Sequence, residues 1–137
     1  MIGRAGCPFC ERISREDYDL SWLNAVSFEP LNPVTPGHRL FVTRTHHSPL
    51  SDPFERIRDW KPGQEMYPAG VKDVLPLLTN WRHVNRITEP YNLILNAGAE
   101  ASQTIEHLHL HYIPRREGDG LMLPWTSAPT PEEATRD

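Results

Sequence analysis

His107, His109 and His111 alternate with Leu108 and Leu110 in the run HLHLH. On an extended strand, successive side chains point to opposite faces. Three imidazoles then share one face, and Leu108, Leu110 and Tyr112 share the other, which suits a core. Three readings compete. The strand is polar and solvent-facing with no chemistry; or its alternate imidazoles ligate a metal such as zinc; or one imidazole attacks phosphorus while its neighbours orient it and handle protons. The residues just upstream favour the third. Asn96, Ser102, Gln103 and Thr104 supply neutral hydrogen-bonding groups, and Gly98 and Ala101 keep the loop small enough for peptide N–H groups to approach an anion. A neutral imidazole is a competent nucleophile when its other nitrogen holds the proton. A carbonyl accepting from Nδ1 would fix that tautomer and aim Nε2 outward.

The chain has two cysteines, Cys7 and Cys10, spaced C-x-x-C. Two cysteines cannot build a disulfide framework, and in a reducing compartment this spacing suits metal or redox chemistry. As zinc ligands they supply half of a tetrahedral site, so two histidines are needed. Two free thiols and a redox pair are the alternatives, although no thioredoxin-like βαβ pattern surrounds them.

The elements that must position these groups follow from pattern. Residues 1–6 read as a loose start and Cys7–Cys10 as a compact turn. Leu20–Trp22 and Ala25–Phe28 read as strands. Pro30, Pro33 and Pro36 exclude a helix and give a stiff connection into a strand at His38–Thr45. In that strand Leu40, Val42 and Arg44 face away from Arg39, Phe41 and Thr43. Pro53–Trp60 reads as a short helical turn. Val71, Val74, Leu75, Leu78, Trp81 and Val84 recur at helical spacing and predict a helix over 71–86, with Pro76 kinking it or marking its first turn. Tyr91–Asn96 and Gln103–Pro114 read as strands, and Leu121–Trp125 as a last strand or hook. The four tryptophans read as core anchors, and His83 as a surface or core residue without function. This order predicts an α+β fold with an antiparallel sheet.

The 137 residues predict one domain, over residues 1–125, with a Pro-rich acidic tail at 126–137 that reads as disordered. The formal charge of −4 disfavours a nucleic-acid polymer as partner, because phosphate neutralisation needs clustered Lys and Arg. No apolar run approaches the ~20 residues of a membrane helix, so no membrane partner is expected. Met1–Gly6 lacks the apolar stretch of a signal peptide, and a cytoplasmic address follows by default.

The combination of CPFC, NPVTPGHRLFVTRTHH and NAGAEASQTIEHLHLHYIPR resembles the histidine triad (HIT) family of nucleotide hydrolases and transferases, over roughly residues 7–116. Tyr112 and Ile113 complete the triad signature, Ser102-Gln103-Thr104 matches the segment before it, and Pro36-Gly37-His38 matches a further element. The resemblance implies a HIT-like fold with a meander-like antiparallel sheet and one main helix, and a homodimer. It implies that His109 is the nucleophile and forms a nucleotidyl-histidine, and that His111 contacts the phosphate. By the same match His38 is an additional active-site histidine, Gln103 and Thr104 lie at the α-phosphate and scissile oxygen, and Asn96 lies beside the phosphates or leaving group. Ser102 stands where Gly is frequent. Leu23–Phe28 and Leu31 would contribute to the apolar nucleoside pocket. Many members carry Asp or Asn eight residues before the Pro-Gly-His histidine, to hold the ribose; here that residue is Pro30, with Glu29 and Asn32 as replacements.

Members with an N-terminal C-x-x-C, and the related galactose-1-phosphate uridylyltransferases, join those cysteines to two histidines through zinc. The resemblance thus implies a structural zinc on Cys7, Cys10, His46 and His107, with His47 as alternative to His46. The implied substrate is a nucleoside phosphoramidate or (di)nucleoside polyphosphate, most simply of a purine nucleoside, cleaved at the α-phosphate. Two other functions compete: a non-catalytic nucleotide-binding module, and a zinc-dependent hydrolase that uses His38, His109 and His111 as ligands.

Overall fold

A computed structural model describes residues 3–50 and 70–123. The elements run α1 (Pro8–Ser14), β1 (Leu20–Trp22), β2 (Ala25–Phe28), β3 (Arg39–Thr43), α2 (Val71–Val84), β4 (Tyr91–Ile94), a 3-10 turn (Ala99–Ala101) and β5 (His109–Pro114). The five strands form one antiparallel sheet in the order β1-β2-β3-β5-β4. The first three strands meander. The chain then crosses through α2, and β5 inserts between β3 and β4. The fold is the expected α+β, HIT-like one.

Register decides what each face carries. Leu40 pairs with His111 and Val42 with His109 across β3 and β5, while Val26 pairs with Val42 and Phe28 with Leu40 across β2 and β3. Directly paired residues share a face. The imidazoles of His109 and His111 therefore stand beside Leu40, Val42, Val26 and Phe28. Buried Phe9 and Ile13 of α1 pack onto that face. The opposite face carries Phe41, Leu110 and Tyr112 and is covered by Val74, Leu77 and Leu78 of α2. Its aromatic cluster joins Trp81 to Phe41 and Tyr112 at centroid distances of 5.7 and 5.2 Å, and Tyr91 stacks on Tyr112 at 5.0 Å.

Several expectations shift. Cys7–Cys10 opens a helix instead of a turn. Pro8 occupies its first turn, where a missing N–H costs nothing. The main helix ends at Val84 and keeps Pro76 inside it, on the exposed side, with the apolar stripe outweighing one lost backbone bond. β3 and β4 are shorter than predicted. The largest change concerns Gln103–Leu108, which is not strand: Ser102 takes a left-handed φ of 67°, and His107 N–H turns back to the Ile105 carbonyl at 2.9 Å. Trp81 anchors the core but Trp22 is 56% exposed. Residues 121–123 form no strand. The expectations for Pro53–Trp60, Trp60, Trp125 and the 126–137 tail lie outside the described residues. Among the described residues, no helix is long and apolar enough to cross a membrane.

Candidate active site and metal centre

The start of β5, the start of β3 and α1 enclose a cleft of about 510 Å³. His38, His109, His111 and Thr104 line it. So do Phe28, Leu31 and Asn32, three of the expected nucleoside contacts. Glu29, Asn96, Ser102 and Gln103 are not among its lining residues, and of the stretch Leu23–Phe28 only Phe28 is. Leu23 is 80% exposed instead, at the hairpin between β1 and β2. Pro30, the residue at the position the resemblance assigns to ribose recognition, does line the cleft.

His109 is held firmly. Its Nδ1–H donates to the His107 carbonyl across 2.6 Å, and the Phe9 ring meets it edge-on at 5.0 Å. The proton thus sits on Nδ1, and Nε2 keeps its lone pair. His38 Nε2 and His111 Nδ1 lie 3.0 Å apart. Burial lowers the pKa of His38, His109 and His111; for His111 it falls to about 4, with the neighbouring rings of His109 and His38 adding to the effect. Nearby Glu29 partly opposes the shift at His38. All three rings are therefore neutral at pH 7, the state a nucleophile requires.

These depressed values make stability depend on pH. An unfolded histidine takes its proton near pH 6.5, and folded His111 only near 4. Between those values the unfolded chain binds more protons, so stability rises with pH. The contribution is complete above about pH 6.5 and is lost on acidification toward pH 4. Thermal melts should show a falling midpoint from pH 7 to 5; a midpoint that holds or climbs would refute the burial of neutral imidazoles.

Gln103 turns away from the cleft. Its Oε1 accepts from Gly98 N–H at 2.7 Å and its Nε2 donates to the Ile105 carbonyl at 3.0 Å. It braces the loop that delivers Thr104 to the cleft wall. α1 adds lining residues absent from the sequence-based set: Pro8, Phe9, Glu11 and Arg12, with Arg15 and Asp17 just beyond it. The Arg12 guanidinium carbon stands over the Phe28 ring, 3.8 Å from its centroid, and its Nε sits 3.1 Å from Asp17 Oδ2. Phe9, Cys10 and Ile13 repeat at helical spacing, a short signal that could have revealed this wall.

Cys7, Cys10, His46 and His107 converge, their ligand atoms all within 4.8 Å of one another. His107 Nδ1 lies 3.4 Å from Cys7 Sγ and 3.5 Å from Cys10 Sγ, and His46 Nδ1 lies 3.4 Å from Cys10 Sγ. A zinc tetrahedron with ordinary bond lengths places sulfur and nitrogen about 3.5 Å apart. On the far side of its ring, His107 Nε2–H donates to the Thr43 carbonyl at 2.6 Å, which leaves the Nδ1 lone pair aimed at the sulfurs. Donor set, spacing and tautomer fit zinc. A bound ion would supply a closed structural link between α1 and the residue two before His109. His47 lies elsewhere: its carbonyl accepts from Leu108 N–H, and its ring packs beside Gly70. Among the described residues this is the one such group, and His38, His109 and His111 do not form another.

Sheet, crossover helix and a row of imidazoles above an apolar cleft define an α+β domain of the histidine-triad type. The HIT domain profile matches residues 23–118, and the chain belongs to that family. Cys7 and Cys10 precede the matched region. An uncharacterized HIT-like protein of Methanocaldococcus jannaschii is 33% identical over 85% of this chain and 84% of its own. An adenosine 5'-monophosphoramidase of Saccharomyces cerevisiae is 28% identical over 92% of this chain and 73% of its own. A zinc-bound histidine triad family protein from Mycobacterium smegmatis superposes with a TM-score of 0.56 at 26% identity, over 94% of this chain and 87% of that one.

Proposed function

We propose that the chain is a nucleotide hydrolase or nucleotidyl transferase that cleaves at the α-phosphate through His109. The observation that carries this reading is the His109 ring itself: its proton is tied to the His107 carbonyl, and the other nitrogen is left basic in a ring that lines an apolar cleft. Family membership and the phosphoramidase among its relatives support a nucleotide substrate.

The nucleoside lies against Phe28 and Leu31, with Asn32 in place of the usual ribose ligand. His109 Nε2 attacks the α-phosphorus in line, and the bond to the leaving group breaks with its electron pair. Thr104 and His111 hold the phosphoryl oxygens, and Gln103 keeps the loop in place behind Thr104. Water then adds to phosphorus and gives up a proton to solvent, the P–N bond breaks with its electron pair returning to His109 Nε2, and a nucleoside monophosphate leaves. An acceptor other than water makes the same intermediate a transfer reaction. Zinc at the Cys7–Cys10–His46–His107 set has a structural role in this account. Turnover of adenosine 5'-phosphoramidate and of a dinucleoside polyphosphate to AMP tests the reading; nucleotide binding with no turnover of either class would favour a binding module.

Two further features belong to this reading. A reducing, cytoplasmic setting keeps both cysteines available as ligands. A homodimer would pair an edge of the sheet, and β4 is such an edge, with Leu93 37% exposed. Light scattering should then return twice the chain mass; a strictly monomeric value would remove the dimer from the account.

A further inference from the structure

Val34 stands in the Pro-rich connection between β2 and β3. Its side chain is 54% exposed at the cleft, but its peptide N–H donates to His38 Nδ1 across 3.1 Å. A peptide N–H can only donate, so His38 Nδ1 holds a lone pair. In the neutral ring the proton then sits on Nε2, which faces His111 Nδ1 at 3.0 Å and donates to it. His111 Nδ1 is thereby an acceptor, and the His111 proton sits on Nε2. The reverse order would set two N–H groups, or two lone pairs, against each other at one of these contacts.

The geometry points to the Val34 peptide N–H as a positioning group: it fixes the tautomers of His38 and His111, so that His111 offers an N–H beside the lone pair of His109. A phosphoryl group needs both, a nucleophile for phosphorus and a donor for oxygen. Two adjacent rings, 5.0 Å between centroids, supply them with opposite polarity and no net charge. The connection is built to hold that amide still. Pro33 and Pro36 fix φ on either side. Arg116 Nη1 donates to Thr35 Oγ1 and to the Pro36 carbonyl, both at 3.3 Å. Gly37 has φ +85°, and a Cβ there would come within 3.0 Å of Pro114 Cγ, so the loop closes directly onto β5.

The tautomers are independent of what the site hydrolyses; only the kinetic consequence rests on the His109 reading. The test uses the full chain and ring ¹H–¹⁵N correlations at neutral pH. Wild type and Val34→Ala should both show His38 and His111 protonated on Nε2. Val34→Pro removes the N–H and should shift His38 toward its Nδ1–H form by roughly tenfold in population, the weight of one hydrogen bond. With adenosine 5'-phosphoramidate, Val34→Pro should lower kcat in proportion to the lost fraction of Nε2-protonated His38, with KM little changed, whereas Val34→Ala, which trims the cleft wall, should act on KM. A wild-type His38 protonated on Nδ1, or unchanged tautomers in a folded Val34→Pro chain, would overturn the proposal. Should that variant not fold, wild type still decides. Protonation of His38, which faces Glu29 and His111, breaks the acceptor at Nδ1, so the Val34 amide proton must move upfield in acid with the His38 titration. An amide that ignores that titration overturns the proposal too. Correct tautomers without any turnover would count against the hydrolase reading alone.

Discussion

Replacing His109 with Ala should abolish turnover of adenosine 5'-phosphoramidate, lowering kcat by at least about a thousandfold while the chain stays folded. The size follows from the role. Removing a group that orients or donates a proton leaves the attacking atom in place and costs on the order of 10² to 10⁴. Removing the attacking atom leaves only direct attack by water, with the remaining donors as help. His109 is 5% exposed and packs edge-on against Phe9, so Ala leaves a cavity lined by Phe9 and the His111 ring. Destabilisation must therefore be separated from lost chemistry. A melt and an AMP-binding measurement on the same variant do that: bound nucleotide without turnover isolates the nucleophile. Retained turnover in His109→Ala would exclude the mechanism. Retained turnover abolished by a chelator would favour a zinc-dependent hydrolase instead.

Cys10→Ser should remove one equivalent of zinc per chain and a large part of the stability. Metal that binds only the folded state stabilises it by about 4 kcal/mol when free zinc is a thousand times the dissociation constant. For a domain of this length that corresponds to roughly 10–15 °C in the melting midpoint. Cys10 is 3% exposed and His107 fully buried, so few waters can replace a missing ion. The effect on activity is indirect. A bound ion would tie α1, which carries Phe9 against His109, to the residue whose carbonyl fixes the His109 tautomer. Metal analysis and melts with and without a strong chelator provide the check. Wild type that carries no zinc and melts at the same temperature with and without added zinc or chelator would leave the cysteines as buried thiols.

The strands were legible because period two is a strong signal where one face packs. Leu40 and Val42 against Phe41, and His109 and His111 against Leu110 and Tyr112, read their faces correctly from alternation alone. The extension of that strand upstream failed. In Gln103–Leu108 the apolar residues Ile105 and Leu108 stand three apart, not two, and the Gln103 side chain satisfies the Gly98 amide and the Ile105 carbonyl, a local turn that the alternation of His107–Tyr112 does not reach. α1 was missed because seven residues give too few repeats for a helical period, and Pro8 reads as a turn unless its first-turn position is recognised. With α1 went the charged side of the cleft, Glu11 and Arg12 with Arg15 at the helix end, which depends on where the helix lands on the sheet. The convergence of Cys7, Cys10, His46 and His107 matched expectation because spacing and donor type carry most of that information. The tautomer of His38 could not be read at all, since it depends on one peptide N–H of a proline-rich loop.

The most direct test is to look for the bond itself. Rapid acid-free quenching of wild type during turnover of adenosine 5'-phosphoramidate, followed by peptide mass spectrometry, should find AMP attached to the peptide containing His109 and to no other histidine. The adduct should be stable to base, labile to acid and missing from His109→Ala. Rapid turnover with no adduct at any time point, or AMP carried on His111 or His38, would contradict the account at its centre.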